Sequence, residues 1–220
     1  ILRTPSKPYT SCEETNCWCT HLLKRAGLIA EHIRKQQKIH VVSHIDADGI
    51  TAGAIAIQTL KRLGKEYSIE FVKQLDPPVL EQLKNDNHDL VWFTDLGSSI
   101  CTNPPKISMV ISDHHSCEEM LDVSFHLNPH LFGLDGSIHL SGAGATYLIA
   151  KAIDKNNVDL SALAIVGACG DLQDRRYRKL TGKNREILND GEKTGVIRTQ
   201  IDIQYFGRET RPVHKLLQYA

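Results

Sequence analysis

Three short, almost unbroken apolar runs limit what this chain can fold into more than any other feature: "IHVVS" (39–43), "DLVWFTD" (89–95) and "ISMVISD" (107–113). A strand with one wet face alternates apolar and polar residues. A strand that is apolar throughout is covered on both faces, which is the habit of parallel sheets. The segments between them carry helical period or turn signals. "ITAGAIAIQTLKRLG" (50–64) predicts a helix closed by Gly64, and Pro77 with Pro78 opens a short helix to about Leu83. "YSIEFVK" (67–73) alternates as a strand, and "VSFHLN" (123–128) is the candidate for a fifth. "GAGATYLIAKAID" (142–154) and "LSALAIVGACGD" (160–171) read as helices. Upstream, Leu22, Leu23, Ala26, Ile29, Ala30 and Ile33 predict a helix over 20–36, after a loose arm. The expectation is an α/β fold: a mostly parallel sheet of about five strands with helices on both faces. It occupies 37–220, with a C-terminal extension, behind an N-terminal arm and helix at 1–36.

The chain of 220 residues is long enough to bury a core of this kind. Its formal net charge of zero excludes a globally basic nucleic-acid coat, so a polyanion would be held by local patches or by bound metal. No apolar run approaches the roughly 20 residues that span a membrane. No signal-peptide pattern opens the chain, and a cytoplasmic location is expected. Cys101, Cys117 and Cys169 are scattered, as free thiols in a reducing compartment would be. Cys12, Cys17 and Cys19 cluster with His21, but the spacing lacks the paired C-x-x-C of zinc sites, and ordinary thiols are the favoured reading.

The residues just past each apolar segment carry the chemistry. His44, Asp46 and Asp48 come after the first strand, Asp95 after the second, and Asp113, His114 and His115 after the third; Asp171 ends the apolar segment near 170. Ligands of a parallel sheet bind at the carboxyl ends of its strands. Any one of these residues is read well enough as a helix cap, an Asp-Gly turn or a polar loop. Together they are not, because five carboxylates brought to one edge repel strongly unless cations or protons compensate. Divalent metal is the economical compensation, two ions for this many ligands. A mixed carboxylate and imidazole set without thiolate suits manganese, zinc or iron better than calcium, and magnesium seldom recruits histidine. Two such ions suit hydrolysis of a phosphodiester or phosphoanhydride. Alternation along an extended segment would set His44, Asp46 and Asp48 on one face, with Gly49 turning the chain into the next helix.

"SHIDADG", "TDLG", "SDHH" and "GACGD" resemble, in order, the four motifs of the DHH phosphoesterase superfamily, and over roughly 35–220 the chain is similar to the archaeal RecJ-like single-strand-specific exonucleases, including the nuclease that associates with the GINS replication complex. The tail "LTGKNREILNDGEKTG…DIQYFGRETRPVHKLLQYA" is similar to that branch as well. The resemblance implies two Mn2+ ions, with Mg2+ as the substitute. It implies His44 and Asp46 on the first ion, Asp48, His114 and Asp171 on the second, and Asp95 bridging. It implies Asp113 as the residue that holds the histidine pair and His115 as the group facing the scissile phosphate. "SGAGAT" (141–146) is either close helix–sheet packing or, with Gly142, Ala143 and Gly144, a cradle for substrate phosphate. Arg175 and Arg176, in "DRRYRK" (174–179), are either a solvated loop or contacts to a nucleic-acid backbone. RecJ-like enzymes carry a second domain with a "GGGH"-type motif; no such motif occurs here, and that domain is expected to be absent. The implied function is a metal-dependent hydrolase of single-stranded DNA or RNA in replication or repair. A small-substrate phosphoesterase (nano-RNA or cyclic dinucleotide) and a replication scaffold beside GINS are the alternatives.

Overall fold

A computed structural model describes residues 12–102, 104–116, 125–201 and 210–218. Five strands, β1 (Lys38–His44), β2 (Glu66–Val72), β3 (Leu90–Thr94), β4 (Met109–Ser112) and β5 (His126–Leu127), form one sheet in the order β2-β1-β3-β4-β5. Every neighbouring pair is parallel. Parallel neighbours need crossovers; α2 (Ala47–Arg62) carries the chain from β1 to β2, and α3 (Pro77–Asn85) carries it from β2 to β3. Since β2 and β3 lie on opposite sides of β1, the winding reverses between β1 and β3, which is where sheets of this topology bind ligands.

Helices cover both faces, as the continuous apolar strands require. Ile39 and Val41 of β1, Leu90 and Trp92 of β3, Val110 and Leu127 point into the larger core. Helix α1 (Cys12–Lys35) meets them with Leu22, Ala26, Ile29 and Ile33. Helix α2 adds Ala52, Ile55 and Ala56, and α4 (Gly142–Ile153) adds Ala145, Tyr147 and Ile149. The opposite face of the sheet offers Val42, Val91, Phe93 and Ile111 to a smaller cluster with Leu83 of α3 and with Leu96 and Ile100. Burial at roughly 25 cal/mol per Å2 of apolar surface is what holds both layers.

Several boundaries differ from expectation. Helix α1 begins at Cys12 and is buried along one stripe, so it belongs to the main core rather than to a separate arm. Residues 1–11 and the side chains of Cys12, Cys17 and Cys19 lie outside the described residues, as does Cys117. The segment 160–171 forms α5 (Ser161–Gly170), preceded by a 3-10 turn, Lys155–Leu160. The polar tail contains α6 (Gly182–Thr194), which buries Asn184, Ile187 and Leu188, and α7 (Val213–Gln218). No helix among the described residues is long and apolar enough to cross a membrane.

Candidate metal centre

Helix α2 starts three residues earlier than its apolar pattern suggests, at Ala47, and this decides how the first motif works. Asp46 is the N-cap, and its carboxylate accepts a hydrogen bond from Gly49 N at 2.9 Å. Asp48 therefore lies in the first helical turn rather than on an extended segment, and the helix start, not strand alternation, sets its direction. Gly49 is helical too. A Cβ there would collide with the His44 carbonyl, so close approach, rather than a tight turn, requires glycine.

Asp48 is fully buried. Its two oxygens accept from the first amides of α4, Gly142 N at 2.6 Å and Ala143 N at 3.0 Å. The positive end of that helix thus steadies a buried carboxylate. Gly144 N is bonded to the Ser141 cap at 3.1 Å. Gly142, Ala143 and Gly144 are all buried, and the proposed phosphate cradle is corrected accordingly: these amides are already committed to Asp48 and Ser141. A Cβ on Gly142 would collide with Asp95 Oδ1, and one on Gly167 of α5 would collide with Asp48 Oδ1, so the small residues let three elements converge on these carboxylates.

Asp95 follows β3 with φ +59, in the left-handed region, and Gly97 follows at φ +110. For a non-glycine residue that conformation costs on the order of 1–3 kcal/mol. It aims the carboxylate at the switch point, where one oxygen faces each of two ligand groups. Oδ2 lies 3.6 Å from His44 Nδ1, which is 2.9 Å from Asp46 Oδ2. Oδ1 lies 3.3 Å from His114 Nε2, which is 3.1 Å from Asp171 Oδ2 and 3.7 Å from Asp48 Oδ2. Within each group, His44–Asp46–Asp95 and Asp48–His114–Asp171, the donor atoms lie within 4.8 Å of one another. Asp171 arrives as the C-cap of α5.

The chemistry of this donor set fits divalent cations. Both oxygens of Asp95, His44 Nδ1 and His114 Nε2 are buried without an aligned hydrogen-bond partner, a costly arrangement for a carboxylate that has no cation. Burial pushes the Asp95 carboxyl up to about 9, with Asp48 and Asp113 adding repulsion against the pull of His114. Burial also raises Asp48. Burial works against the His114 imidazolium, but Asp171, Asp95 and Asp48 more than offset it and lift that ring to about 12. Divalent cations would relieve this repulsion without protons.

His114 and His115 are held differently. Asp113, almost fully buried, accepts at Oδ1 from the amides of His114 (2.7 Å) and His115 (3.2 Å) and from His115 Nδ1 (2.8 Å); its Oδ2 accepts from Ser98 N (2.9 Å). Burial alone would raise Asp113, but its contacts with His115 and the others hold it well below the usual carboxylate range. In return its hydrogen bond raises His115. The ring of His114 instead uses the Gly136 carbonyl, at 2.7 Å from Nδ1, so Asp113 holds one ring of the pair rather than both. His115 is more than half exposed and lies 4.4 Å from His114 between ring centroids. A cavity of about 550 Å3 opens beside the two rings, lined also by His130, Leu134, Asp135 and Ser137; that volume is ample for a small ligand or one nucleotide.

Six of the residues singled out in the sequence, His44, Asp46, Asp48, Asp95, His114 and Asp171, thus meet at one edge of the sheet, with Asp113 and His115 against them. Arg175 and Arg176 lie on the exposed turn after Asp171, where Arg176 packs over the Tyr177 ring at 5.5 Å. Gly136 and Gln173, which reach His114, and Asn184, which donates to Gln173, were not anticipated; no local pattern distinguishes a buried glutamine from a solvated one.

No family model matches the chain. In sequence it is 35% identical over 178 residues to an uncharacterized protein of Methanocaldococcus jannaschii, a match covering 76% of this chain and 40% of that one. It is 26% identical over 162 residues to the single-stranded-DNA-specific exonuclease RecJ of Bacillus subtilis, covering 67% of this chain and 20% of RecJ. Its fold matches that of RecJ from Thermus thermophilus in complex with Mn2+, with a TM-score of 0.58 and 23% identity over 77% of this chain and 26% of that one. The chain therefore spans less than half the length of these relatives. Both the four-motif reading and the parallel α/β expectation agree with a RecJ-like DHH domain.

Proposed function

We propose, from a chain that folds as a RecJ-like DHH domain, that it hydrolyses phosphodiester bonds of single-stranded nucleic acid with two divalent ions, removing nucleotides from an end. The supporting observation is the Asp95 carboxylate: one of its two buried oxygens faces His44 and the other faces His114, and His115, seated on Asp113, stands beside them. His44, Asp46 and Asp95 would hold one ion; Asp48, His114, Asp171 and Asp95 would hold the other. When bound, the pair supplies a polarised phosphoryl oxygen and a hydroxide near neutral pH.

The protein's own groups do the rest. Asp113 fixes the His115 ring through Nδ1 and favours its charged form. Nε2–H is then placed to donate to a phosphoryl oxygen or to the departing oxygen, a general-acid role. The α4 amides orient Asp48 and favour its charged form against the burial that raises it. The nucleoside beside the scissile phosphate occupies the cavity beside His114 and His115. Manganese is preferred to magnesium because two imidazoles are among the ligands.

The direct test is digestion of an end-labelled single-stranded oligonucleotide with Mn2+, with Mg2+ and with chelator. Stepwise shortening that requires metal is expected. An untouched oligonucleotide alongside hydrolysis of dinucleotides would replace the exonuclease reading with the small-substrate one. The exposed Arg175 and Arg176 give a further expectation, since each backbone contact contributes about 0.7 to the slope of log affinity against log salt for a single strand. Changing both to alanine should weaken binding for all sequences and flatten that slope by about 1.4. An unchanged slope in fluorescence-anisotropy titrations would return the turn to ordinary solvated surface.

A further inference from the structure

Asn184 and Gln173 form a buried amide pair, 0% and 2% exposed, close behind the second ligand group. Asn184 Nδ2 donates to Gln173 Oε1 at 2.5 Å. Gln173 Nε2 donates to the Gly136 carbonyl at 2.9 Å, the same oxygen that accepts from His114 Nδ1. On its other side, Asn184 Oδ1 faces Ser141 N at 3.4 Å, and Ser141 caps the helix whose next two amides hold Asp48. Gln173 comes two residues after Asp171 in the same turn.

The amide orientation is dictated by its partners. With the Gln173 group reversed, its oxygen would face the Gly136 carbonyl and its nitrogen would face Asn184 Nδ2, two repulsions in place of two bonds. A carbonyl fixed by one donor from Gln173 can fix the second donor, the His114 ring. An imidazole that donates through Nδ1 presents the Nε2 lone pair outward, toward Asp48, Asp95 and Asp171.

We infer that Gln173 and Asn184 are positioning residues that set the tautomer of His114 and brace Asp48 and Asp171, and so control affinity for one of the two ions only. The inference rests on the proposed assignment of Asp48, His114 and Asp171 as metal ligands. The ion pair of His44 with Asp46 and the Asp46 cap bond to Gly49, on the far side of Asp95, do not involve this amide pair. Helix α6, from the polar tail, is by this reading part of the metal centre.

The test is calorimetric titration of the whole chain with Mn2+, comparing wild type, Gln173→Met and Asn184→Leu. Methionine keeps length and volume and removes the donor to Gly136. The variants are expected to weaken one binding event about 10–100-fold, as loss of a ligand's supporting hydrogen bond does, while the other stays within about twofold. The double variant should cost little more than either single one, because the pair acts as a unit. Equal weakening of both events, or of neither, overturns the inference. If wild type binds no ion at the His114 group, the metal assignment falls with it; if it binds and Gln173→Met binds equally well, only the positioning role falls. A second measurement does not depend on the variants' folding. Nitrogen NMR of the Zn2+-loaded wild type should find the His114 proton on Nδ1, and a proton on Nε2 would contradict the inference.

Discussion

Asp95→Asn is expected to lower metal-dependent hydrolysis by about a thousandfold or more, while leaving the metal-free fold at least as stable as wild type. The loss arises from position. Asp95 Oδ2 lies 3.6 Å from His44 and Oδ1 lies 3.3 Å from His114, so on the proposed assignment Asp95 serves both ions and neither keeps its full charge compensation without it. Several kcal/mol of transition-state stabilisation, at about 1.4 kcal/mol per factor of ten, corresponds to that loss. The stability expectation has the opposite sign for a definite reason. Without metal, the carboxyl is buried among Asp48 and Asp113, is pushed up to about 9, and has neither oxygen hydrogen-bonded. Asparagine keeps the shape, tolerates the left-handed backbone that Asp95 adopts, and removes the cost of burying or protonating a carboxyl there. The trade is of the kind made where an active site is kept at the expense of stability. Melting curves with and without Mn2+ check it. The variant's curve should scarcely move on adding metal. A variant that retains more than a few per cent of activity, or that melts well below wild type without metal, would refute the bridging role.

The second large effect is on the pH dependence of metal stabilisation. In the metal-free protein, Asp95 and Asp48 are raised above the ordinary carboxylate range and His114 is raised to about 12. Groups raised in the folded state bind protons more tightly there than when unfolded. Their contribution is complete at low pH and is lost as pH rises through the folded values, for Asp95 between about 4 and 9. Ligation needs the same protons removed, so metal binding strengthens over the same range. One net proton released as the site loads means about tenfold in overall affinity per pH unit, or about 1.4 kcal/mol at saturating metal. For a domain of this size that is about 3–6 °C. The melting-temperature increment given by Mn2+ should therefore widen by about that much between pH 6 and pH 7. A constant increment would show that the cluster carries no such protons. Asp113 behaves oppositely: it is lowered by His115, so its contribution is complete at neutral pH and fades only in strong acid.

The sequence alone was sufficient for the parts that depend on local pattern. Apolar runs at 39–43, 89–95 and 107–113 could be satisfied only by strands covered on both faces, and Asp and His at their ends could go only to the carboxyl edge of a parallel sheet. Those residues were legible because each sits next to a strong periodic signal. The structure decided what depends on distance. Helix α2 begins at Ala47 because Asp46 caps it, and no hydrophobic period marks that start, so Asp48 points by helix geometry rather than by alternation. The amides of Gly142 and Ala143 looked open to a phosphate, but a carboxylate 94 and 95 residues away in the chain takes them. Asp95 at φ +59 gives no sign of its backbone in its neighbours' identities. Gln173, Asn184 and Gly136 come within hydrogen-bonding reach only after the turn that succeeds α5, helix α6 and the loop before α4 have packed together. Ligand identity is written in residue type and local spacing. Ligand orientation is set by hydrogen bonds to residues far along the chain, and only the closed tertiary structure brings those partners within reach.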